Sequence, residues 1–442
     1  MKNIIKKTID HAMNSGADSC DIIVSSGEAM SLSAQDGRLD QYKLSKTAIL
    51  GLRVIKNKRI GLSYSESFDE DALKFATKAA IENAEFSDIN ENESISIKNS
   101  SDSIFNDSAL KDTSSNEEKI EFALKLESEI KKRDSRVTAT PYNGLSISNN
   151  RSFYMNSLGT YAEQGHGSLS AYTSALLKDG DKTSMHYASL LGRDLKHLDI
   201  NQCIEETLEH SINWLQAKPV PSGKYEVIFN TDTLSDLLGV FSNYFSAKDA
   251  IEKTNPWETK MGQSVAIENF TMIDSPFYKD AFTHDYIDSE GVLRKDLTLI
   301  DNGVLKSFYH NTATAKHFGV TTTGHAHRGA KSSLNVSSTN WLIKPGKHTD
   351  SEVKDGTYLE VIDVMGLHSG GDNISGEFSF GASGYLCKDG KRIQPVKEIT
   401  IAGNFNKLLF GITRMGADLK HNNSMGTFSP LIRFSDLYVA GK

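Results

Sequence analysis

The histidines are the residues whose spacing reports most directly on metal chemistry, because a neutral imidazole is a common zinc ligand. Zinc peptidases commonly place two histidines four residues apart on one helix, with a glutamate between them as general base. The chain has 13 histidines, and no two of them are three, four or five residues apart. His310 and His317 are seven apart, about 10 Å along a helix axis, which is too far for an easy joint grip on one ion. The sequence therefore lacks the helical zinc pattern.

His325 and His327 are the one close pair of histidines. If residues 324–329 formed a strand, both rings would point to the same side and could ligate a metal ion. The alternative, which we favour, is an exposed, glycine-flanked loop rich in polar residues, because no third ligand is evident nearby. We therefore predict no catalytic residue and no bound metal, and keep His325 and His327 as the remaining metal candidates.

The glycine-rich stretch 366–384 has two interpretations. Glycines between strands can frame a groove that takes an extended peptide by strand addition. They can equally form ordinary hairpin turns and bulges, which is the interpretation that we favour from the residues alone. The candidate residues of a groove are His368, Ser369, Gly370, Gly371, Phe378 and Gly381.

Other short signatures fail. Gly165-His166-Gly167 begins like a dinucleotide fingerprint, but Ser170 stands where the third glycine belongs. Gly390-Lys391 lacks both the earlier glycine and the following Ser or Thr of a phosphate loop. Residues 381–384 have the wrong spacing for a nucleophile elbow.

The charge balance argues against a nucleic-acid partner. In 442 residues, 49 Lys and Arg stand against 57 Asp and Glu, for a net charge of −8. Nucleic-acid binding needs clustered basic residues, and the chain has no basic block. Residues 87–118 hold eight acids and two lysines, or −6, so most of the net charge lies in one segment that we expect to be an acidic polar linker or loop.

Cysteine usage and hydropathy indicate a cytoplasmic protein. Cys20, Cys203 and Cys387 are too far apart for a disulfide framework or a CxxC motif, which favours a reducing compartment. The N-terminus reads as an amphipathic helix and not as a signal peptide. No run of about 18 apolar residues exists, so we expect no membrane span.

Helical and strand patterns follow one another along the chain without a regular repeat. Helical periodicity at the N-terminus is followed by short strand patterns at 21–25, 30–34 and 48–55, with a turn predicted at Asp36-Gly37, and by helical patterns that begin near Phe68 and at 117–132. Residues 136–192 read as antiparallel hairpins. Further helices are predicted at 200–217 and 232–246, with short ones near 311–317 and 404–413.

Pro219, Pro221 and Ser222-Gly223 mark the clearest boundary. The predicted class is α+β, a helix-and-sheet N-terminal domain followed by a strand-rich, largely antiparallel C-terminal domain. We divide the chain into an α+β unit at 1–86, the linker 87–118, a central strand-rich unit with flanking helices at 119–221, and a C-terminal unit at 222–442.

Several long motifs resemble the PmbA/TldE branch of the TldD/PmbA family. The resemblance covers essentially the whole chain. The motifs are Gly51–Ile55, Arg59–Ser63, Val361–Gly370, Ile374–Tyr385, Pro395–Asn404 and Phe434–Gly441.

The resemblance implies a division of labour between two subunits. TldD-type chains are zinc metallopeptidases with a His/Glu motif on a helix of the C-terminal domain and a cysteine ligand near the C-terminus. PmbA/TldE-type chains are similar in fold and pair with TldD, and the pair degrades or trims unfolded peptides. An older name of the family is modulator of DNA gyrase.

This chain departs from the catalytic branch at the matching positions. The matching helix, 232–245, contains no His and no Glu, and the matching stretch 421–427 contains no Cys. We therefore expect no cofactor in this chain and zinc in a TldD-type partner.

Three functions remain open from the sequence. The first is a non-metal subunit of a TldD-type peptidase that binds unfolded peptide beside its partner. The second is a non-enzymatic peptide-binding scaffold formed by two copies of this chain. The third is a self-sufficient hydrolase that uses His325, His327 and an acid from elsewhere. We favour the first.

Overall fold

The structure is a computed structural model that describes residues 1–95, 104–108 and 110–442, with 104–108 described by the backbone alone. The predicted α+β class is confirmed. In the described residues, an eight-stranded sheet is built from the first half of the chain and a ten-stranded sheet from the second half. Pairing in both sheets is mainly antiparallel.

The elements of the first half are α1 (Lys2–Asn14), β1 (Ser19–Gln35), β2 (Arg38–Lys56), β3 (Arg59–Ser65), α2 (Glu70–Ala84), β4 (Ile104–Ser108), α3 (Asn116–Arg133), β5 (Val137–Ala139), β6 (Gly144–Asn156), β7 (Tyr161–Asp179), β8 (Lys182–Gly192) and α4 (Ile200–Trp214). The main path of the sheet is β3-β2-β1-β6-β7-β4, and β5 and β8 also pair with β7.

The elements of the second half are β9 (Gly223–Phe229), α5 (Thr231–Val240), α6 (Ala247–Ile251), β10 (Met272–Asp274), β11 (Leu297–Asp301), β12 (Val304–Leu305), α7 (Thr312–Phe318), β13 (Ala326–His327), β14 (Asn335–Val336), β15 (Trp341–Ile343), α8 (Asp350–Val353), β16 (Thr357–Met365), β17 (Glu377–Lys388), β18 (Lys391–Asn404), α9 (Phe405–Leu408), β19 (Ile412–His421) and β20 (Thr427–Ala440).

The first hairpin is longer than its sequence pattern predicts. The two short strand patterns before Asp36 belong to one continuous strand, β1. The turn falls where predicted: Asp36 and Gly37 have φ angles of 52° and 71°, as a type I′ hairpin turn requires. The buried carboxylate of Glu127 on α3 accepts hydrogen bonds from the backbone N–H groups of both turn residues, at 2.7 and 3.0 Å. This contact fixes the hairpin to the helix layer.

Helices α1–α4 cover one face of the N-terminal sheet. Ile5 and Ile9 of α1 and Leu73 of α2 pack against alternate residues of β1 and β2. Farther along the sheet, α3 and α4 bury Leu126 and Cys203, with their neighbours, against β7 and β8. Because side chains alternate across a strand, the residues between these positions face the opposite side, where the C-terminal half packs.

A buried ion network joins the two halves at that opposite side. Arg53 and Asp21 are completely buried, with Arg53 Nη2 2.6 Å from Asp21 Oδ2. The same Nη2 lies 3.2 Å from Glu290 Oε1 of the C-terminal half. Arg328 donates to the other oxygen of Asp21, and Glu93 lies 3.6 Å from Arg53 Nη1. The network therefore fixes residues 288–328 of the second half on the first sheet.

The C-terminal half is built around a closed ring of strands. β9, β16, β17, β18 and β20 pair in sequence, and β20 also pairs with β9, which closes the ring. Helix α5 packs its apolar side on these strands. The predicted helix near 404–413 is only the short α9, because the chain enters β19 at Ile412, opposite Phe434 of β20.

The segment predicted to be a linker contributes to the fold where it is described. Residues 104–108 form β4, which pairs in parallel with β7, and Glu93 belongs to the ion network. Residues 96–103 and 109 of this segment lie outside the described residues. In the part of the chain that the structure describes, no helix is both long and apolar enough to cross a membrane.

Candidate functional site

Helix α5 is the helix that the resemblance matches to the metal-binding helix of the catalytic branch. Strand β9 leads directly into it, and the side chain of Asn230 caps its first turn by accepting from the Thr233 N–H at 2.8 Å. Leu234, Leu237 and Leu238 point into the core. Asp232 and Asp236, four residues apart, lie one above the other on another side of the helix. The helix predicted at 232–246 is shorter in the structure: α5 ends at Val240, and a 3₁₀ turn follows over Ser242–Phe245.

The turn 421–427 between β19 and β20 contacts α5 through hydrogen bonds. The backbone N–H of Asn423 donates to Asp232 Oδ1 at 2.7 Å. The hydroxyls of Ser235 and Thr427 are hydrogen-bonded at 2.8 Å, and the amide of Asn422 donates to Ser235 Oγ at 3.3 Å. The structure therefore brings together the two segments that the family resemblance matches to metal-binding segments of the catalytic branch.

Next to this junction lies a group of carboxylates that we call the acid cleft: Glu206 of α4, Asp232 and Asp236 of α5, and Asp363 of β16. Burial raises the pKa values of Glu206, Asp232 and Asp236 above their ordinary range. The negative charges of neighbouring carboxylates, including Asp363 in all three cases, raise these pKa values further. The ring of His186 lies 3.3 Å from Asp363. The cleft therefore concentrates negative charge and is suited to a cationic group.

Helix α4, which carries Glu206 of the acid cleft, is anchored to the C-terminal half. His210 Nδ1 and the Tyr385 hydroxyl are 2.8 Å apart, and the Asn213 amide donates to the same hydroxyl at 3.1 Å. Arg392 of β18 lies 2.5 Å from Glu209. Burial lowers the pKa of His210 to about 4, so the ring is neutral at pH 7.

The two histidines kept as metal candidates lie in different surroundings. His325 is completely buried, with Nε2 3.2 Å from Asp274 Oδ1 and Nδ1 3.0 Å from the Thr323 carbonyl oxygen. The prediction of an exposed loop is therefore wrong at His325, because its ring lies in the interior, beside Asp274 and Thr323. His327 is exposed and lines a cavity of about 420 Å³ between the two halves, together with His166 and its partner Asp285.

The peptide-groove candidates divide into loop and sheet residues. His368 and Ser369 are exposed in the loop between β16 and β17. Gly370 and Gly371 have no room for a side chain: a Cβ would lie 2.4 Å from the Ser379 carbonyl oxygen in one case and 2.7 Å from Val240 in the other. Glycine is thus required here for close packing.

Phe378 and Gly381 are not available to a peptide groove, because core packing uses the first and strand pairing uses the second. Phe378 is buried in the core, where its ring stacks on Phe380 with centroids 5.4 Å apart. Gly381 pairs with Met365 on one side and with Thr400 on the other, so an extended peptide has no backbone edge to join there. A groove can use only the loop residues, and it stays a prediction.

Sequence models of three domains match the chain. PmbA/TldA metallopeptidase domain 1 matches residues 20–84, the central domain matches 111–213 and the C-terminal domain matches 222–441. The chain belongs to the PmbA/TldD metallopeptidase family. The resemblance predicted from the motifs is therefore confirmed, and the family supports a role in proteolysis in general.

Relatives of this family span the whole chain. A Haemophilus influenzae protein named metalloprotease PmbA homolog is 24% identical over 440 residues, 98% of this chain and 94% of its own. A Thermotoga maritima crystal structure, of a proposed modulator of DNA gyrase, shares 25% identity at a TM-score of 0.87 and covers 99% of this chain and 100% of its own. TldE from Thermococcus kodakarensis has the same fold, with a TM-score of 0.80, 22% identity and coverage of 100% of both chains.

The metallopeptidase family implies zinc, and the matching junction of this chain does not suit it. Zinc in proteins is held by thiolate, imidazole and carboxylate groups. Here the helix and the turn meet through the Ser235 and Thr427 hydroxyls and the Asn422 amide, which already bond one another. Asp232 offers a carboxylate, but its Oδ1 accepts a backbone N–H. Across residues 1–95 and 110–442, no three His, Cys, Asp or Glu side chains are grouped so as to hold a metal ion.

Sequence reasoning missed most of the acid cleft in this PmbA/TldD chain. The spacing of Asp232 and Asp236 on one helix was a usable signal, since side chains four apart share a face. Glu206, Asp363 and His186 come from segments far apart in sequence, and no local pattern links them. Only the packing of α4 against the C-terminal half brings them together.

Proposed function

We propose that this chain is the TldE-like, non-metal-binding subunit of a TldD-type zinc metallopeptidase that degrades or trims unfolded peptides. The observation that carries the proposal is the junction of α5 with the turn 421–427. The resemblance matches these two segments to the metal-binding helix and the cysteine ligand of the catalytic branch. Here the helix contains no His or Glu, the turn contains no Cys, and the two segments meet through hydroxyl and amide groups. The role left to the chain is to complete the peptide-binding chamber around the zinc of a partner.

The acid cleft supports the peptide-binding part of this proposal. It is formed where the central unit and the C-terminal half meet, and its four carboxylates favour a cationic group such as a peptide amino terminus or a basic side chain. The exposed loop residues His368 and Ser369 offer further polar contacts. The zinc, the nucleophilic water and the general base are expected from the partner.

The test is a metal count and a peptidase assay on three samples: this chain alone, a TldD-type chain from the same genome alone, and the two co-expressed. We expect stoichiometric zinc only in the TldD-type chain and peptide cleavage only in the co-purified complex. Complex formation is measured by light scattering after size exclusion.

Two results would replace this proposal. Stoichiometric zinc and peptide cleavage by the isolated chain, both lost in the variant Asp232→Ala/Asp236→Ala, would make the chain an enzyme in its own right. A stable dimer of two copies that takes up no TldD-type chain would favour the scaffold. The exposed pair Glu28→Ala/Lys46→Ala, far from the junction in sequence, is the matched control for the aspartate variant.

A further inference from the structure

Another cleft lies in the C-terminal half, and no residue of α5 lines it. It has a volume of about 560 Å³, within the range of small-molecule sites. Its walls are the segment after residue 266, the Asp301-Asn302 turn, the loop 344–348 and the start of β19. None of these segments contributes a residue to the acid cleft.

The loop 344–348 is fixed in place by backbone hydrogen bonds. Lys344 N–H donates to the Thr271 carbonyl at 3.0 Å, and Gly346 N–H donates to the Gly416 carbonyl at 2.7 Å. A Cβ on Gly346 would lie 2.4 Å from the Met415 carbonyl oxygen, so only glycine allows this approach to β19. The positions of the loop side chains are therefore set before any ligand binds.

The lining of this cleft is basic although the chain is acidic. Lys344, Lys347 and Arg414 contribute three positive charges, Asp301 contributes one negative charge, and His348 is the remaining titratable group. Arg414 is partly neutralised, since Nη1 lies 3.5 Å from Asp355 and also donates to a carbonyl of α8. For Lys344 and Lys347, no ion pair with a carboxylate occurs in the described ranges.

We propose that this cleft binds a small multivalent anion, held by Lys344, Lys347 and Arg414. Ammonium and guanidinium groups form charge-assisted hydrogen bonds with phosphate and with carboxylate oxygens, and both ligand types share this chemistry. The volume of the cleft is too small to enclose a long polyanion. The proposal does not depend on the proposed peptidase role.

Strand β19 connects this cleft to the turn that contacts α5. The strand begins at the cleft with Ile412 and ends with His421, where the turn that contacts Asp232 starts. From Arg414 to His421 the strand runs seven residues, which is at most about 23 Å at 3.3 Å per residue. Because the two clefts share no residue, a ligand here would be separate from any peptide bound in the acid cleft.

The experiment is calorimetric titration of the full chain at low ionic strength with two probes, inorganic pyrophosphate and citrate. We expect one of the two, or both, to bind, because exposed charges act most strongly when salt does not screen them. Binding of pyrophosphate alone assigns a phosphate ligand, binding of citrate alone assigns a carboxylate ligand, and binding of both assigns charge as the shared determinant.

Paired variants keep the test specific. Lys344→Ser/Lys347→Ser should weaken binding at least tenfold, whereas the control Lys388→Ser/Lys391→Ser, on an exposed turn of the same half, should change it less than twofold. Thermal unfolding of each variant checks that the fold is kept. The proposal fails if neither anion binds at millimolar concentration, if both double variants weaken binding equally, or if a tetraglutamate peptide binds much more tightly than either small anion.

Discussion

Two groups of carboxylates lie where the first half of the chain meets the second, and they differ in whether basic side chains neutralise them. In the ion network, Asp21 and Glu290 are completely buried and bonded to guanidinium groups of Arg53 and Arg328. In the acid cleft, Asp363 lies 3.3 Å from the ring of His186 and, within the described chain, no Lys or Arg forms an ion pair with any of the four carboxylates. The first group has its counterions inside the fold, and the second leaves its charge available to a ligand.

The difference separates a positioning contact from a candidate binding surface. Buried charges persist only when they are paired and hydrogen-bonded, so the ion network has one stable arrangement and fixes the two halves relative to each other. Carboxylates that lie close together without a counterion repel one another, which costs stability. That cost is understandable where a cationic ligand is to be bound. Substitutions in the two regions should therefore have opposite signs.

The largest effect is expected from Arg53→Met. The variant leaves Asp21 and Glu290 buried without this partner, and removing one member of a buried ion pair typically costs about 3–5 kcal/mol. Urea denaturation at pH 7 measures the change in the free energy of unfolding. The control is Lys46→Met, which breaks the exposed pair with Glu28 and should leave stability within error. A loss in Arg53→Met no larger than in the control would show that the network does not hold the halves together.

Next in size is an acid effect at the anchor of α4. Burial lowers the pKa of His210 to about 4 from an ordinary 6.5, so the folded state binds this proton less readily than the unfolded state. The associated stability is fully present above pH 6.5 and is lost as the pH falls towards 4. It amounts to on the order of 3 kcal/mol.

Urea denaturation between pH 7 and pH 4 tests this effect. His210→Gln should flatten the decline in the free energy of unfolding, because the group that resists protonation is gone. His197→Gln, at a histidine whose side chain is 82% exposed, should keep the wild-type slope. Equal slopes in all three proteins would contradict the assignment.

The comparison also shows which parts of the structure a sequence can reveal. Local patterns predicted α1, α2, α3 and the Asp36-Gly37 turn, because periodicity and turn chemistry are local properties. They failed at His325, whose burial depends on Asp274, 51 positions earlier in the chain. The continuous strand β1 was missed because polar residues interrupt its apolar pattern, while its register is imposed by β2 and β6.

The candidate site follows the same division. The motif resemblance located both α5 and the turn 421–427, and the structure joins them. Neither the ion network nor the acid cleft could be predicted, since each assembles side chains from three or more distant segments. Glu93, in the segment predicted as a linker, is the clearest case: nothing around it in sequence indicates that it will face Arg53.

A pair of glycine substitutions compares the packing of the two regions. At Gly51, beside the ion network, a new Cβ would lie 2.3 Å from the Ala330 carbonyl oxygen and 2.5 Å from its Cα. Gly51→Ala should therefore push the halves apart and cost about 1–3 kcal/mol. Gly239 on α5 has nothing within 4 Å of its ideal Cβ, so Gly239→Ala should stabilise the protein by about 0.5–1 kcal/mol through helix propensity. Thermal unfolding measures both, and a destabilised Gly239→Ala would mean that α5 is packed as tightly as β2.

The smallest effect is expected in the acid cleft itself. The pKa of Glu206 is raised by burial and by the charges of Asp232, Glu209 and Asp363. A raised folded-state pKa means that stability is highest below the unfolded pKa and falls as the pH rises and the group ionises. Glu206→Gln should therefore stabilise the protein by about 0.5 kcal/mol at pH 8, the size of a relieved like-charge contact, and leave it unchanged near pH 4. Its exposed neighbour offers the matched control, since Glu205→Gln only loosens a contact with Arg133 at 3.4 Å and should give no gain at pH 8. A cation already neutralising the cleft would reverse the sign of the Glu206→Gln effect, so this one measurement separates an empty acidic surface from an occupied one.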